Sequence, residues 1–336
     1  MADALLSAPV GAAMCVVSAA AIGLSVTKIK KDELSEKKIP IMAVSGAFIF
    51  AAQMINFTIP GTGSSGHISG GILLAALLGG YPALLTISAV LIIQCLFFAD
   101  GGLLALGCNI FNMGVIPCLI VYPLLFKPLL GKNFSAVSIS LASIAAAIIG
   151  LQLGAFCVVL ETRASGITEL SFKTFTLLMQ PVYLVIGIAE GVITAAVLNF
   201  IHKMRPEIME SANAGCAIGK TVPIRRVVTI LVIITIMAGA GLSVFASAHP
   251  DGLEWAAAKI TGSASLDSND PIIKNAAAIQ KGTAVMPDYS FKSSDEKASG
   301  TSVAGLIGGA LTFVLAGGAA FVISSVKKKR RKHERI

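Results

Sequence analysis

Gly61-Thr62-Gly63-Ser64-Ser65-Gly66-His67 is a polar, glycine-rich stretch set between two strongly apolar runs, at about 41–58 and 68–80. Gly61, Gly63 and Gly66 spell G-x-G-x-x-G, and His67 stands where a phosphate-binding loop would place its lysine. A dinucleotide-binding turn needs a preceding parallel strand in a soluble βαβ unit, and a phosphate loop needs that lysine. Here both flanks read as membrane segments. The glycines are therefore taken as points where the backbone turns sharply and approaches a ligand closely. No other phosphate loop exists, so the chain hydrolyses no ATP by that route. Irregular backbone at membrane depth must be buried in protein or face a water cavity. The run after His67 is thus expected to be a short helix that begins below the outer surface.

The rest of the chain supports a membrane setting. Of 336 residues, 55% are hydrophobic and 13% charged, where soluble domains carry roughly 25% charged residues. This leaves no room for a large soluble catalytic domain and predicts an all-α integral membrane protein, a polytopic helical bundle. We read about nine membrane segments, at about 8–27, 41–58, 68–80, 82–98, 103–126, 136–160, 176–201, 227–247 and 302–326. The net charge of +8 does not point to nucleic acid, because the basic residues sit between apolar runs and at the C-terminus.

Lys28, Lys30, Lys31, Lys37 and Lys38, then Lys127 and Lys132, then Lys203, Arg205, Lys220, Arg225 and Arg226, then Lys327 to Lys332 and Arg335 all fall on one side. The positive-inside rule makes that side cytoplasmic. The N-terminus is then outside, the C-terminus cytoplasmic, and the protein a multi-pass component of the cell (inner) membrane. His67, Asp100 and Asp3 come out on the external side. The first residues lack a basic region, and the first apolar run ends at lysines, so no cleaved signal peptide is expected.

A polar joint containing Pro206, Gly215, Gly219 and Pro223 divides the chain. Residues 1–205 form a membrane domain and 206–226 a cytoplasmic linker. Residues 227–336 hold two membrane helices, an external loop at 248–301 and a basic tail. That loop is expected to be ordered only against the first unit. The tail Lys327 to Lys332 is read as an inner-leaflet lipid anchor, and Gly305 with Gly309 as a close helix crossing.

Polar residues in apolar sequence are the candidates for a site. Imidazole is the commonest ligand for late first-row metals, and His67 is the histidine best placed to meet an ion from outside. It could equally cap a helix or brace its loop. Asp100 reads as a helix-boundary carboxylate or a site residue. Asn109 and Asn112 share a helix face at i and i+3 and either tie helices together or line a site; Gln53, Asn56 and Gln94 pose the same question. Glu190 is read as the one acid well inside a helix, in its inner part and away from His67, with a structural hydrogen bond or a partner contact as its role. The six cysteines, Cys15, Cys95, Cys108, Cys118, Cys157 and Cys216, show no CxxC spacing and read as small buried hydrophobes. His202 and His333 read as solvated, and His249 is left open.

Several of these stretches resemble one family. Gly46-Ala47-Phe48-Ile49-Phe50-Ala51-Ala52-Gln53-Met54, Gly61 to His67, Phe98-Ala99-Asp100-Gly101-Gly102, Gly107-Cys108-Asn109-Ile110-Phe111-Asn112 and Glu190 to Val197 occur in order. Together they resemble the CbiM/NikM substrate-capture components of energy-coupling-factor cobalt and nickel transporters, over roughly residues 1–205. Pro250-Asp251-Gly252-Leu253-Glu254-Trp255 resembles the PDGLE small subunit of NikN or CbiN type, here on the same chain.

The resemblance implies a Ni(II) or Co(II) ion as transported substrate, no covalently bound cofactor, and no enzymatic activity of the chain itself. It implies partners as well: a transmembrane coupling (T) subunit and ABC ATPase subunits that drive uptake. It further implies a near-square-planar nitrogen site made by the N-terminal amine, the amide and imidazole of a histidine at position two, and the loop histidine, which His67 matches. Ser65, Gln94, Asp100 and Asn109 would stand behind it. This chain reads Met1-Ala2-Asp3 at its start. Either a Met-His pair precedes Met1, in which case adding it should restore tight binding, or the Met1 amine or Asp3 carboxylate substitutes. The alternative readings are a capture component or carrier for another solute, with His67 structural, and a membrane scaffold whose loop 248–301 recruits partners.

Overall fold

The computed structural model describes residues 1–29, 33–132, 134–167, 170–247, 249–262, 270–291 and 297–333. Lys30, Lys31 and Arg335 of the basic clusters lie outside the described residues. The first unit runs α1 (Ala8–Lys28), α2 (Lys38–Gln53), β1 (Phe57–Ile59), β2 (Ser64–Gly66), α3 (Gly71–Leu78), α4 (Gly80–Phe98), α5 (Leu106–Leu130), α6 (Ala136–Ala164), α7 (Phe172–Met204) and α8 (Pro206–Ala214). The second runs α9 (Arg225–Phe245), α10 (Gly252–Thr261), α11 (Pro271–Thr283) and α12 (Lys297–His333). Seven helices are long and apolar enough to cross a membrane: α1, α4, α5, α6, α7, α9 and most of α12. The apolar helices α2 and α3 are shorter, at 16 and 8 residues.

The centre of the bundle is α3 and α4. Every residue of α3 is buried, and α4 is buried along most of its length. The peripheral helices turn apolar faces outward, with Val137, Leu141 and Leu153 exposed on α6 and Leu184, Ile188 and Val192 on α7. Lipid tails are as apolar as leucine, so such faces suit a bilayer and give no drive to helix association. Association then depends on close contact. A Cβ on Gly187 or Gly191 of α7 would lie 2.9 or 2.6 Å from the Cα of Ile148 or Ile144 on α6. Pro117 and Pro123 interrupt α5, which widens to π-helical bonding over Phe111–Phe126, because proline has no N–H to give the preceding turn.

The second unit is seated on the first along its length. Gly305, half of the expected GxxxG, packs against Gly239 on α9, where an added Cβ would lie 2.8 Å from a carbonyl oxygen. Its partner Gly309 faces α2 near Ala47, and Gly239 also meets Ala51 of α2, so α12, α9 and α2 pack together. Within the joint, α8 is helical and buries Ile208 and Met209, and Lys127 donates to the Asn213 carbonyl at 2.7 Å. At the other end, Gln280 of α11 donates to the carbonyls of Cys95 (3.0 Å) and Gly101 (2.6 Å), and the Val285 N–H to that of Phe97 (2.9 Å).

One element departs from helix. The glycine-rich stretch is a hairpin in which β1 and β2 pair antiparallel, Thr58 opposite Ser65. Gly61 and Gly63 take φ of +77° and +78° in its turn, a conformation that costs glycine nothing and other L-residues considerably more. The chain then enters α3 through Gly70, also at positive φ.

Candidate functional site

His67 follows β2 directly and is half-buried. Its Nδ1 lies 3.0 Å from the Ile68 carbonyl oxygen. A carbonyl only accepts, so Nδ1 carries the proton in that contact, and Nε2 of the neutral ring keeps its lone pair for a ligand. The backbone on both sides of His67 is tied down by residues distant in sequence. On the C-terminal side, Glu190 accepts three hydrogen bonds: from the Ser69 N–H (2.6 Å), the Ser69 hydroxyl (2.9 Å) and the Gly70 N–H (3.1 Å). Gln53 donates to the Ser69 carbonyl at 2.9 Å, and Gln94 donates to Gln53 at 2.8 Å. All four side chains are buried.

The expectation that Glu190 lies away from His67 is therefore wrong. Gly66 sits against Ile186, and Ser69 against Glu190, one helical turn further along α7. The loop descends by about one turn, roughly 5–6 Å, and reaches a carboxylate that seemed too deep. The structural hydrogen-bond role proposed for Glu190 is the one it plays here.

On the N-terminal side the anchor comes from the second unit. The Ser65 N–H donates to the Pro250 carbonyl at 2.8 Å, and the Ser65 hydroxyl to the His249 carbonyl at 2.8 Å. Ser65 pairs in parallel with Asp251, so the PDGLE segment meets the hairpin edge through one backbone bridge. Asp251 then caps α10: its carboxylate accepts from the Glu254 N–H at 2.7 Å, and Glu254 reaches back to the Asp251 N–H. This is a capping box. Gly252 allows the approach, since a Cβ there would lie 2.7 Å from Val182 on α7.

The other sequence candidates gather nearby. The Met1 amine donates to Asn109 at 2.9 Å, and the Gly102 N–H donates to the Met1 carbonyl at 3.1 Å. Asp3 is buried and accepts from the Ala105 N–H at 2.8 Å. Burial pushes its carboxyl up from the ordinary value, opposed by backbone N–H groups at the start of α5 and by the terminal amine. Asn112 pairs with Glu161 at 2.9 Å, so it ties α5 to α6, whereas Asn109 holds the N-terminus. Asp100 accepts from the Tyr289 hydroxyl. Tyr289 also stacks on Phe98, with ring centres 5.1 Å apart. Burial and the Asp100 charge hold the Tyr289 phenol well above its usual range.

Two cavities open here. One, of about 410 Å³, is bordered by His67, Asn56, Asp100, His249, Asp251 and Glu254. The other, of about 660 Å³, is bordered by Ala2, Asp3, Gly101, Gly102 and Gln280. Asp100, Glu254 and Asp288 border both, so His67 and the N-terminal segment lie on opposite sides of a shared acidic wall. Among the described residues no three His, Cys, Asp or Glu side chains already converge as a metal site. Sequence reasoning passed over Glu161, Tyr289 and the wall formed by Glu254 and Asp288.

Comparison with known proteins sets this arrangement among relatives. A family model described as the cobalt uptake substrate-specific transmembrane region matches residues 1–208, and the PDGLE domain matches residues 225–325. A protein of Archaeoglobus fulgidus named "Putative fused nickel transport protein NikMN" is 31% identical over 316 residues, covering 93% of this chain and 95% of its own. The fused nickel transport protein NikMN of Rhodobacter capsulatus is 30% identical over 215 residues, covering 58% of this chain and 59% of its own. The crystal structure of a truncated transition metal transporter superposes with a TM-score of 0.53 at 28% identity, covering 61% of this chain and 98% of its own.

Proposed function

The chain belongs to the cobalt uptake substrate-specific transmembrane family, here joined to a PDGLE domain, and we propose that it captures nickel or cobalt ions at the external surface for an importer of energy-coupling-factor type. It is a multi-pass membrane component of metal transport and not an enzyme. Residues 1–205 would be the capture domain, 206–226 the cytoplasmic linker and 227–336 the accessory domain. A transmembrane coupling subunit and ABC ATPase subunits would supply the drive.

The observation that carries the reading is His67. Its Nδ1 is engaged by a carbonyl, its Nε2 remains for a metal, and the backbone on both sides is held by buried or cross-unit hydrogen bonds. Imidazole nitrogen suits the late first-row divalent ions. Asp100 borders the cavity of His67 and would steer the ion there, while Asp3 lines the cavity on the other side of the acidic wall, and Asn109 holds the Met1 amine. Ser65 and Gln94 act through the backbone of the loop. The PDGLE segment would promote loading by completing the hairpin.

The test is uptake of radiolabelled Ni(II) and Co(II) by membranes holding the chain with and without coupling and ATPase subunits. Accumulation that needs ATP, the partners and His67 is expected. Accumulation of neither metal, with saturable uptake of another solute that ignores His67→Ala, would replace this reading with that of a carrier in which His67 is structural.

A further inference from the structure

The cavity that holds His67 receives a second histidine from the other unit. We propose that His249 is a ligand for the incoming divalent metal ion, held in the cavity it shares with His67. This rests on the capture reading above and names a residue of the accessory domain as part of the same metal path.

The contact between the two units makes the case. Ser65, two residues before His67, pairs in parallel with Asp251, two residues after His249. That bridge brings the two histidine-bearing segments side by side, and His67, His249 and Asp251 all border the same cavity. The backbone that carries His249 is fixed: its carbonyl accepts from the Ser65 hydroxyl at 2.8 Å and its N–H donates to the Ser247 hydroxyl at 3.3 Å. Its ring is exposed and makes no hydrogen bond among the described residues, so nothing has to be broken for it to bind.

The size of the cavity gives the ring a task. An ion arrives with water ligands, and six waters at about 30 Å³ each occupy roughly 180 Å³. The cavity of about 410 Å³ is much roomier than the space of about 50 Å³ that His67 also borders. The larger cavity is therefore the place where water is exchanged. Asp100, Asp251 and Glu254 on its wall attract a cation, and imidazoles at two sides can replace water stepwise, each exchange leaving the ion coordinated.

The experiment uses the full chain in lipid nanodiscs, titrated with Co(II) and followed by the visible absorption of the bound ion. Cu(II), which ranks highest for nitrogen sites, is bound in parallel to count imidazoles by pulsed electron paramagnetic resonance. The expected result is two remote imidazole nitrogens in the wild type and one in His249→Ala or His67→Ala. Co(II) affinity should fall about tenfold in His249→Ala. His249→Gln, which keeps a polar side chain and the same backbone bonds, should behave alike. Wild-type affinity and an unchanged count in both His249 variants, with binding lost in His67→Ala, would overturn this inference and leave the capture reading standing. Binding unaffected by either histidine would overturn both. Binding lost in the His249 variants and unchanged in His67→Ala would also overturn the shared site.

Discussion

The two flanks of His67 are fixed in different ways. On the C-terminal flank, Ser69 and Gly70 are held by Glu190 and Gln53, buried side chains of the same unit. On the N-terminal flank, Ser65 is held by backbone carbonyls at His249 and Pro250 of the second unit, next to an open cavity. A carboxylate buried among three donors is costly to disturb, because removing it strands all three. Ser65 is buried as well, but its partners belong to the other unit. The first flank is thus supported from within one unit, and the second depends on how the two units pack.

The largest effect should come from the side held within one unit. Glu190→Ala leaves the Ser69 and Gly70 N–H groups and the Ser69 hydroxyl without their acceptor in a buried place, at about 1–3 kcal/mol for each unmet group. Thermal unfolding in detergent should drop by several degrees, and Co(II) binding should be lost with it. Glu190→Gln keeps one acceptor oxygen and should fall between Ala and the wild type. Unaltered stability in Glu190→Ala would break the contrast between the flanks.

Disturbing the side held across the two units should cost binding more than stability. Gly252→Val places side-chain atoms where Val182 and Tyr183 of α7 already sit and should push the PDGLE segment off the hairpin. Slower and weaker metal loading is expected, roughly tenfold, with a smaller drop in melting temperature than Glu190→Ala. Hydrogen exchange at Ser65 would rise. Ser65→Ala is gentler. It removes one neutral hydrogen bond of about 1 kcal/mol and keeps the N–H bond to Pro250, so loading should weaken by roughly fivefold.

The smallest effect is expected from Tyr289→Phe. The ring still stacks on Phe98, and only the hydroxyl bond to Asp100 is lost. With Asp100 released toward the cavity, metal affinity should shift by no more than about threefold, read by the same titration. A large loss would mean that Asp100 acts only when Tyr289 orients it.

Much of this architecture could be read from the chain. Apolar runs mark the long helices, Gly61 and Gly63 occupy the sharp turn their type suggested, and Gly305 lies at a close crossing. What escaped has physical reasons. Strands of three residues, such as Phe57–Ile59, are too short to show an alternating pattern. The apolar run ending near residue 160 hid Glu161, since α6 continues to Ala164 and Glu161 accepts through one oxygen from Asn112 of α5. Glu190 was placed too far from His67 because depth was counted along α7 alone, while the eight-residue α3 lets the loop before it dip to meet the carboxylate. Tyr289 lies in a stretch without periodicity, and its stacking on Phe98 and its hydroxyl bond to Asp100 reveal it.

The central claim is that this loop presents His67 to a transition metal ion. Its most direct test is isothermal titration of Ni(II) and Co(II) into the full-length chain in nanodiscs, wild type against His67→Ala, with intact mass defining the N-terminus. The account predicts one bound ion per chain and a loss of affinity of about a hundredfold or more in the variant, with the melting temperature unchanged in the absence of metal. Equal affinity in the two proteins would contradict it.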